Sequence, residues 1–344
     1  MTVPSLPDDT RARIAQFLDD TGLARAEAII EPLTPDASDR RYFRVDGASD
    51  APFILAVHTG PVDFEQSTFV GVHRLLEAMP VPVPRLLGYS SALGIMAQSD
   101  LGDLTLYAWL PDAPRDARLT RYGEAVDLIA MLQGRGAELA SPAYPPYALA
   151  FDVEKLGFEL DFFRRHFLEG SRGRRVSPAE RDALGLEFDA IVSELAAEPR
   201  VLCHRDYHSR NLMLHGDRLH LIDFQDARMG PDTYDLVSLL RDSYVSLDDT
   251  EVEVLTSRFL ASRHPDAVGP GAAREAFRCR FTLMALQRNL KALGTFGFQA
   301  VTRNNEAYLQ YVPRTLGYIR GYLAGSPRFG TLRDLLASHL PELR

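Results

Sequence analysis

Lysine is nearly absent. Of 38 basic side chains among 344 residues, only Lys155 and Lys291 are lysines. Chemistry that needs an amine in the first part of the chain is therefore excluded. Cysteine is as scarce: Cys203 and Cys279 form neither a disulfide framework nor a CxxC metal site, and they fit a reducing compartment. Positive charge is not in excess either. The formal net charge is −9, whereas nucleic-acid binders draw most of their affinity from a basic face, so no nucleic-acid partner is expected. Local cations or a metal can still make a cleft that takes an anionic substrate. No apolar run approaches the ~20 residues that cross a bilayer, and Met1–Asp20 lacks the basic and apolar regions of a signal peptide. These absences predict a soluble cytoplasmic protein with no membrane partner. Nothing sets the oligomeric state, and a monomer is favoured. With 46% hydrophobic and 25% charged residues the composition is ordinary, so a sizeable core forms and wholesale disorder is excluded.

The length predicts two domains or two lobes, and the hydrophobic period changes along the chain. A capped helix from Asp8 or Asp9 to Gly22 precedes three short runs, 28–33, 41–45 and 53–58. These are rich in β-branched and aromatic residues and read as an antiparallel meander. An amphipathic helix over 64–79 and a strand over 93–98 follow, then the turn cluster Ser99-Asp100-Leu101-Gly102-Asp103. Beyond it the period is helical: 104–110, 119–136, 152–168, 178–197, 232–243, 249–262, 271–292, 304–323 and 331–339. A strand at 201–203 and a hairpin around Gly216-Asp217 interrupt it. SRGRR at 171–175 reads as a solvated basic connection. The expected class is α+β, with a small β-rich lobe over 1–101 and a larger, mostly helical lobe over 102–344 that carries the hairpin.

The hairpin belongs to the densest chemical segment, CHRDYHSRNLMLHGDRLHLIDFQDA at 203–227. Asn211 lies five residues after Asp206, and Asp223 twelve after Asn211. Phosphoryl transfer needs a carboxylate beside the attacking hydroxyl and a metal on the triphosphate. Mg²⁺ takes oxygen ligands, often only one or two from protein. Kinases meet these needs with an Asp, an Asn five residues on, and the Asp of the following strand. A rival reading takes His204, Asp206, His208, His215 and His220 as a zinc hydrolase cluster. It leaves Asn211 and Asp223 unexplained, and His220 alternates with apolar Leu219 and Leu221. His204 reads as a structural residue of the loop.

HRDYHSRNLM and IDFQDARMGP resemble the aminoglycoside-phosphotransferase-like small-molecule kinases, which share the bilobal protein-kinase-like fold. PDASDRRYFRV at 35–45, SDLGD at 99–103, GPDTYDLVSLLRD at 230–242, LMALQRNLKALGTF at 283–296 and YLQYVPRTLGYI at 308–319 resemble one branch of that family. It is the branch of anomeric amino-sugar kinases that act on N-acetylmuramate and N-acetylglucosamine in peptidoglycan recycling. The similarity runs from about residue 10 to residue 323.

The resemblance implies ATP with Mg²⁺, a sugar 1-phosphate product, Asp206 as the base for the sugar hydroxyl, and Asn211 and Asp223 as metal ligands. Pro35–Arg40 becomes a phosphate-covering loop whose Ala37 and Ser38 amides face the phosphates, and Gln98 and Asp100 border the adenine. One departure stands out. Kinases commonly carry a phosphate-gripping Lys on the third strand, and here that strand is FILAVH. Arg40, Arg41 and Arg44 are candidate replacements, since a guanidinium fork suits phosphate. Strand alternation puts Arg40 and Arg44 on one face and Arg41 on the other without deciding which meets nucleotide. For the small-molecule sugar substrate the candidates are Gln225, Asp226, Arg241, Gln287, Arg288 and Lys291. Gln287, Arg288 and Lys291 share a helix face, and Arg288 and Lys291 could meet a carboxylate on the sugar; a solvated polar stripe is the alternative. Asp235 reads as structural. A kinase of another hexose or of an aminoglycoside, and a nucleotide-binding pseudokinase, remain as alternatives.

Overall fold

The computed structural model describes residues 8–23, 28–33, 40–46 and 51–344. Ala37 and Ser38 of the expected phosphate-covering loop lie outside the described residues. In chain order the elements are α1 (Asp8–Thr21), β1 (Ile29–Pro32), β2 (Arg41–Asp46), β3 (Phe53–Val57), α2 (Thr68–Ala78), β4 (Leu86–Ser90), β5 (Ile95–Ser99), α3 (Leu106–Trp109), α4 (Arg115–Glu138), α5 (Val153–Phe163), α6 (Pro178–Ala196), β6 (Arg200–Cys203), β7 (Leu212–His215), β8 (Arg218–Leu221), β9 (Arg228–Pro231), α7 (Thr233–Leu240), α8 (Asp249–Arg263), α9 (Ala272–Thr302), α10 (Val312–Ala324) and α11 (Gly330–His339). Local chemistry explains several starts. Ser67 caps α2 through the Val70 amide, and reciprocal capping boxes open α6 (Ser177 with Glu180) and α8 (Asp248 with Glu251).

The chain divides into two compact units. One runs through Leu104 and includes Met213–Gln225; the other comprises Thr105–Leu212 and Asp226–Arg344. A cut at residue 101 with the hairpin in the second lobe is thus not the division found. The reason is packing. Phe224 meets Phe69 and His73 of α2, with ring centroids 5.0 and 6.0 Å apart, and the Leu221 amide donates to the Pro82 carbonyl at 2.8 Å.

In the first unit an antiparallel sheet has the order β1-β2-β3-β5-β4. Its FILAV strand is buried throughout. One face packs Phe43, Val45, Leu55, Val57 and Ile95 against Ile14 and Phe17 of α1. The opposite face carries Tyr42, Ala56 and Met96, which pack with Phe64, Phe69 and Val70. This arrangement settles the arginine strand: Arg41 lies on the α1 side and is exposed, whereas Tyr42 faces the other way.

The second unit is helical apart from β6 and β9, which pair antiparallel with Val201 opposite Gly230. The sequence RMGP at β9 has no strand propensity, and pairing with β6 overrides it. Helix α9 extends to Thr302, past the expected end near 292, and is buried along Leu283–Leu290. Gly294 and Gly297 bring it against the backbone of Phe163 and His166, where the chain widens into a π-helical stretch, Arg164–Ser171.

Candidate active site

The segment 204–211 of the second unit is held by buried acids from the chain around α7. The fully buried Asp235 carboxylate accepts from the His204 amide at 2.6 Å and the Arg205 amide at 3.1 Å. Asp242 accepts from the Ser209 amide at 3.0 Å and its hydroxyl at 2.6 Å. The Tyr207 hydroxyl donates to the Ala125 carbonyl at 2.8 Å. These contacts support Arg205 at φ 86°, a left-handed conformation that costs a non-glycine residue of order 1–3 kcal/mol and that clusters at functional sites. Asp223 also lies there, at φ 64°. The structural reading of Asp235 and His204 fits these contacts: His204 is buried, and its ring meets Tyr207 edge-on.

The loop presents Asp206 to a pocket of about 300 Å³ lined by Arg205, His208, Ser238, Tyr244, Lys291 and Phe296, among others. Lys291 Nζ stands 3.0 Å from Asp206 Oδ1, and Arg205 Nε stands 3.8 Å from Oδ2. Burial pushes the Asp206 pKa up, but Lys291, Arg205 and Arg288 outweigh it and hold the carboxyl well below the usual range. Burial lowers His208 to about 3, so its ring is neutral. The Asn211 side-chain amide donates to the Asp206 carbonyl at 2.9 Å, tying that side chain to the same loop.

The first unit has its own cavity, of about 400 Å³, on the sheet face away from α1. Arg40, Tyr42, Ala56, His58, Met96, Gln98 and Gln225 are among its lining residues. Arg40 and Gln98, both singled out from the sequence, thus share one cavity. Tyr42, His58 and Met96 were not singled out from the sequence, although strand alternation places Tyr42 with Arg40.

Several other candidates are engaged elsewhere. Arg44 binds Asp100 at 2.5 Å and Asp103 at 2.8 Å, so both Arg44 and Asp100 lock the 99–103 turn to β2. Gln225 lines the first unit's cavity rather than the Asp206 pocket, and its amide donates to Asp223 at 2.8 Å. Asp226 pairs with Arg205. Gln287, fully buried, donates to Glu159 at 3.0 Å, and Arg288 donates to the Arg205 carbonyl and the Ser238 hydroxyl at 2.9 and 2.6 Å. The 287–291 face is therefore no solvated stripe: Gln287 is buried against Glu159, and Arg288 and Lys291 line the Asp206 pocket. Arg241 lines the pocket, and its guanidinium lies over Tyr318, 3.4 Å from Asp249. Among the described residues no group of three or more His, Cys, Asp or Glu side chains could hold a metal ion, which removes the zinc cluster. No helix among them is long and apolar enough to cross a membrane.

Residues 29–272 match the phosphotransferase enzyme family, a span that contains Asp206, Asn211 and Asp223. The chain belongs to that family. Over 303 residues it is 31% identical to an N-acetylmuramate/N-acetylglucosamine kinase of Neisseria meningitidis serogroup B, covering 88% of this chain and 87% of the relative. A protein of the same name from Pseudomonas aeruginosa is 31% identical over 311 residues, 90% of this chain and 88% of the relative. Among solved structures, a choline/ethanolamine kinase family protein from Mesorhizobium loti superposes with a TM-score of 0.60 at 19% identity, covering 97% and 98% of the two chains. ADP-bound aminoglycoside phosphotransferase APH(2'')-Ib gives 0.57 at 14% identity, covering 90% and 98%. The fold of this phosphotransferase is thus the protein-kinase-like one, and its family chemistry is phosphoryl transfer to a hydroxyl group.

Proposed function

We propose that this phosphotransferase moves the γ-phosphoryl group of ATP to the C1 hydroxyl of N-acetylmuramate or N-acetylglucosamine, giving a sugar 1-phosphate for cell-wall recycling. The observation that carries the reading is Asp206, held on a clamped loop at the wall of a sugar-sized pocket, in a chain about 30% identical to amino-sugar kinases over nearly its whole length. The ADP-bound neighbour supports ATP as donor. We assign nucleotide binding to the first unit, through Arg40 and Gln98, and catalysis with acceptor binding to the second.

Asp206 orients the acceptor hydroxyl and takes its proton. A carboxyl held so far below its usual range is a weak base, but an anomeric hydroxyl is more acidic than an ordinary alcohol. In a loose phosphoryl transition state the nucleophile also needs little prior deprotonation. Positioning is then the larger contribution, and the Asp235 and Asp242 clamps supply it. Asn211 and Asp223 would hold Mg²⁺. An amide carbonyl and a carboxylate form the all-oxygen donor set that this hard cation takes, and Mg²⁺ when bound neutralises triphosphate charge.

A coupled ADP-release assay with ATP and Mg²⁺ tests this on N-acetylmuramate, N-acetylglucosamine, N-acetylgalactosamine, glucose and kanamycin. The expected product is an acid-labile phosphate of an N-acetyl sugar, lost when EDTA removes the metal. Asp206→Asn should lower kcat by roughly 10²–10⁴-fold while still binding ADP. Turnover of glucose or kanamycin alone would discard the amino-sugar reading. ATP binding with no turnover would favour the pseudokinase that the missing strand lysine suggests.

A further inference from the structure

The cations that line the acceptor pocket are already engaged. Lys291 pairs with Asp206, Arg205 with Asp226, and Arg288 with the Arg205 carbonyl and Ser238. The Arg241 guanidinium turns to Tyr318 and Asp249. An acceptor that brings its own anion needs another positive group beside the pocket.

Arg210 is not itself a lining residue, but it packs on one that is, Tyr244. It is half-buried, one residue before Asn211, with its guanidinium carbon 5.0 Å from the ring centroid of Tyr244, 5.8 Å from Tyr308 and 5.9 Å from Tyr107. Tyr244 and Phe296 both line the pocket, and Phe296 stacks on Tyr308 at 5.8 Å. The Tyr107 and Tyr311 hydroxyls meet at 3.2 Å, closing the cluster. Among the described residues no carboxylate pairs with Arg210. Aromatic faces attract a guanidinium by ~0.5–2 kcal/mol each but do not neutralise it. The cluster therefore fixes a charged, planar fork, whose geometry matches a carboxylate.

We infer that Arg210, held by Tyr107, Tyr244 and Tyr308, is the specificity-determining residue that reads the carboxylate of an acidic acceptor sugar. The inference rests on the amino-sugar reading above. N-acetylmuramate and N-acetylglucosamine share the ring and the acetamide, and only the first carries a carboxylate.

The test is kcat/KM for both sugars with the wild type, Arg210→Gln and Arg210→Lys. The ratio of N-acetylmuramate to N-acetylglucosamine should fall roughly 10–100-fold in Arg210→Gln, mostly through the KM of the acidic sugar, and partly recover in Arg210→Lys. Tyr308→Ala, which loosens the cluster, should lower the same ratio by less, and it carries the test if Arg210→Gln folds poorly. Equal losses on both sugars would assign Arg210 to supporting the loop and overturn the inference; so would an unmoved ratio. If the wild type phosphorylates both sugars and the ratio stays fixed, only this inference falls. If it phosphorylates neither, the amino-sugar reading falls and takes this one with it.

Discussion

Lys291 and Asp206 are 85 positions apart in sequence and 3.0 Å apart in space. The ammonium is the largest of the charges that keep Asp206 ionised against its burial. With the carboxylate as the working form in the proposed mechanism, loss of activity on acidification through this group should begin only below the ordinary carboxylate range. In Lys291→Met the Asp206 pKa rises, and the acid limb of the pH profile should move up by about 1–3 units. An acid limb that stays in place would show that Lys291 does not set this ionisation. The same depression stabilises the fold above the ordinary Asp pKa, and that contribution disappears as pH falls through the folded value. The sequence offered Lys291 as a helix-face cation that could meet a carboxylate on the sugar. Its partner could not be read from spacing, because nothing local links α9 to the 204–211 loop.

At the scale of elements, α7 and the turn after it support the site more than they line it. Asp235, Ser238 and Asp242 recur at 0, 3 and 7, one helical face, and each contacts the loop or the arginine behind it. That period was available in the sequence as a signal for a polar helix face turned inward. Asp235→Asn keeps the shape but weakens two charge-assisted hydrogen bonds that hold Arg205 at φ 86°. Expected outcomes are a destabilisation of about 2–4 kcal/mol in denaturant unfolding and a fall in kcat larger than the rise in acceptor KM. Wild-type unfolding and kinetics would reduce Asp235 to a bystander. The arginine strand illustrates the complementary case. Alternation separated Arg40 and Tyr42 from Arg41, but the position of α1 decided which set was turned outward.

For the molecule as a whole, stability has a pH dependence that originates away from Asp206. Just past the end of α6, the partly buried Glu198 lies beside Arg280 (3.3 Å), which also contacts Asp232 at 3.0 Å; His264 meets Asp232 at 2.6 Å. Burial pushes Glu198 up to about 7, despite Arg280. A carboxyl whose folded pKa is raised favours the fold while protonated. Its contribution is therefore full below its ordinary value near 4.5 and is lost as pH rises through about 7. Glu198→Gln removes that penalty. The variant should be more stable than wild type by about 1–3 kcal/mol at pH 8, with the difference fading toward pH 4.5, as read by thermal or urea unfolding. A gain that is constant across pH would point to packing instead of ionisation.

The sequence by itself determined the α+β class, most element positions, the absence of a strand lysine and the family, and it singled out Asp206, Asn211 and Asp223 as candidates. These are local properties: hydrophobic period, capping chemistry and motif spacing survive without knowledge of what packs where. Only the tertiary structure decided that Gln287 pairs with Glu159 and Arg288 braces the loop, that Arg44 spends its charge on Asp100 and Asp103, that Met213–Gln225 joins the first unit, and that β9 is a strand. In each case the deciding partner is remote in sequence. A polar side chain takes its role from the group that satisfies it in the interior, and burial makes that pairing obligatory rather than optional.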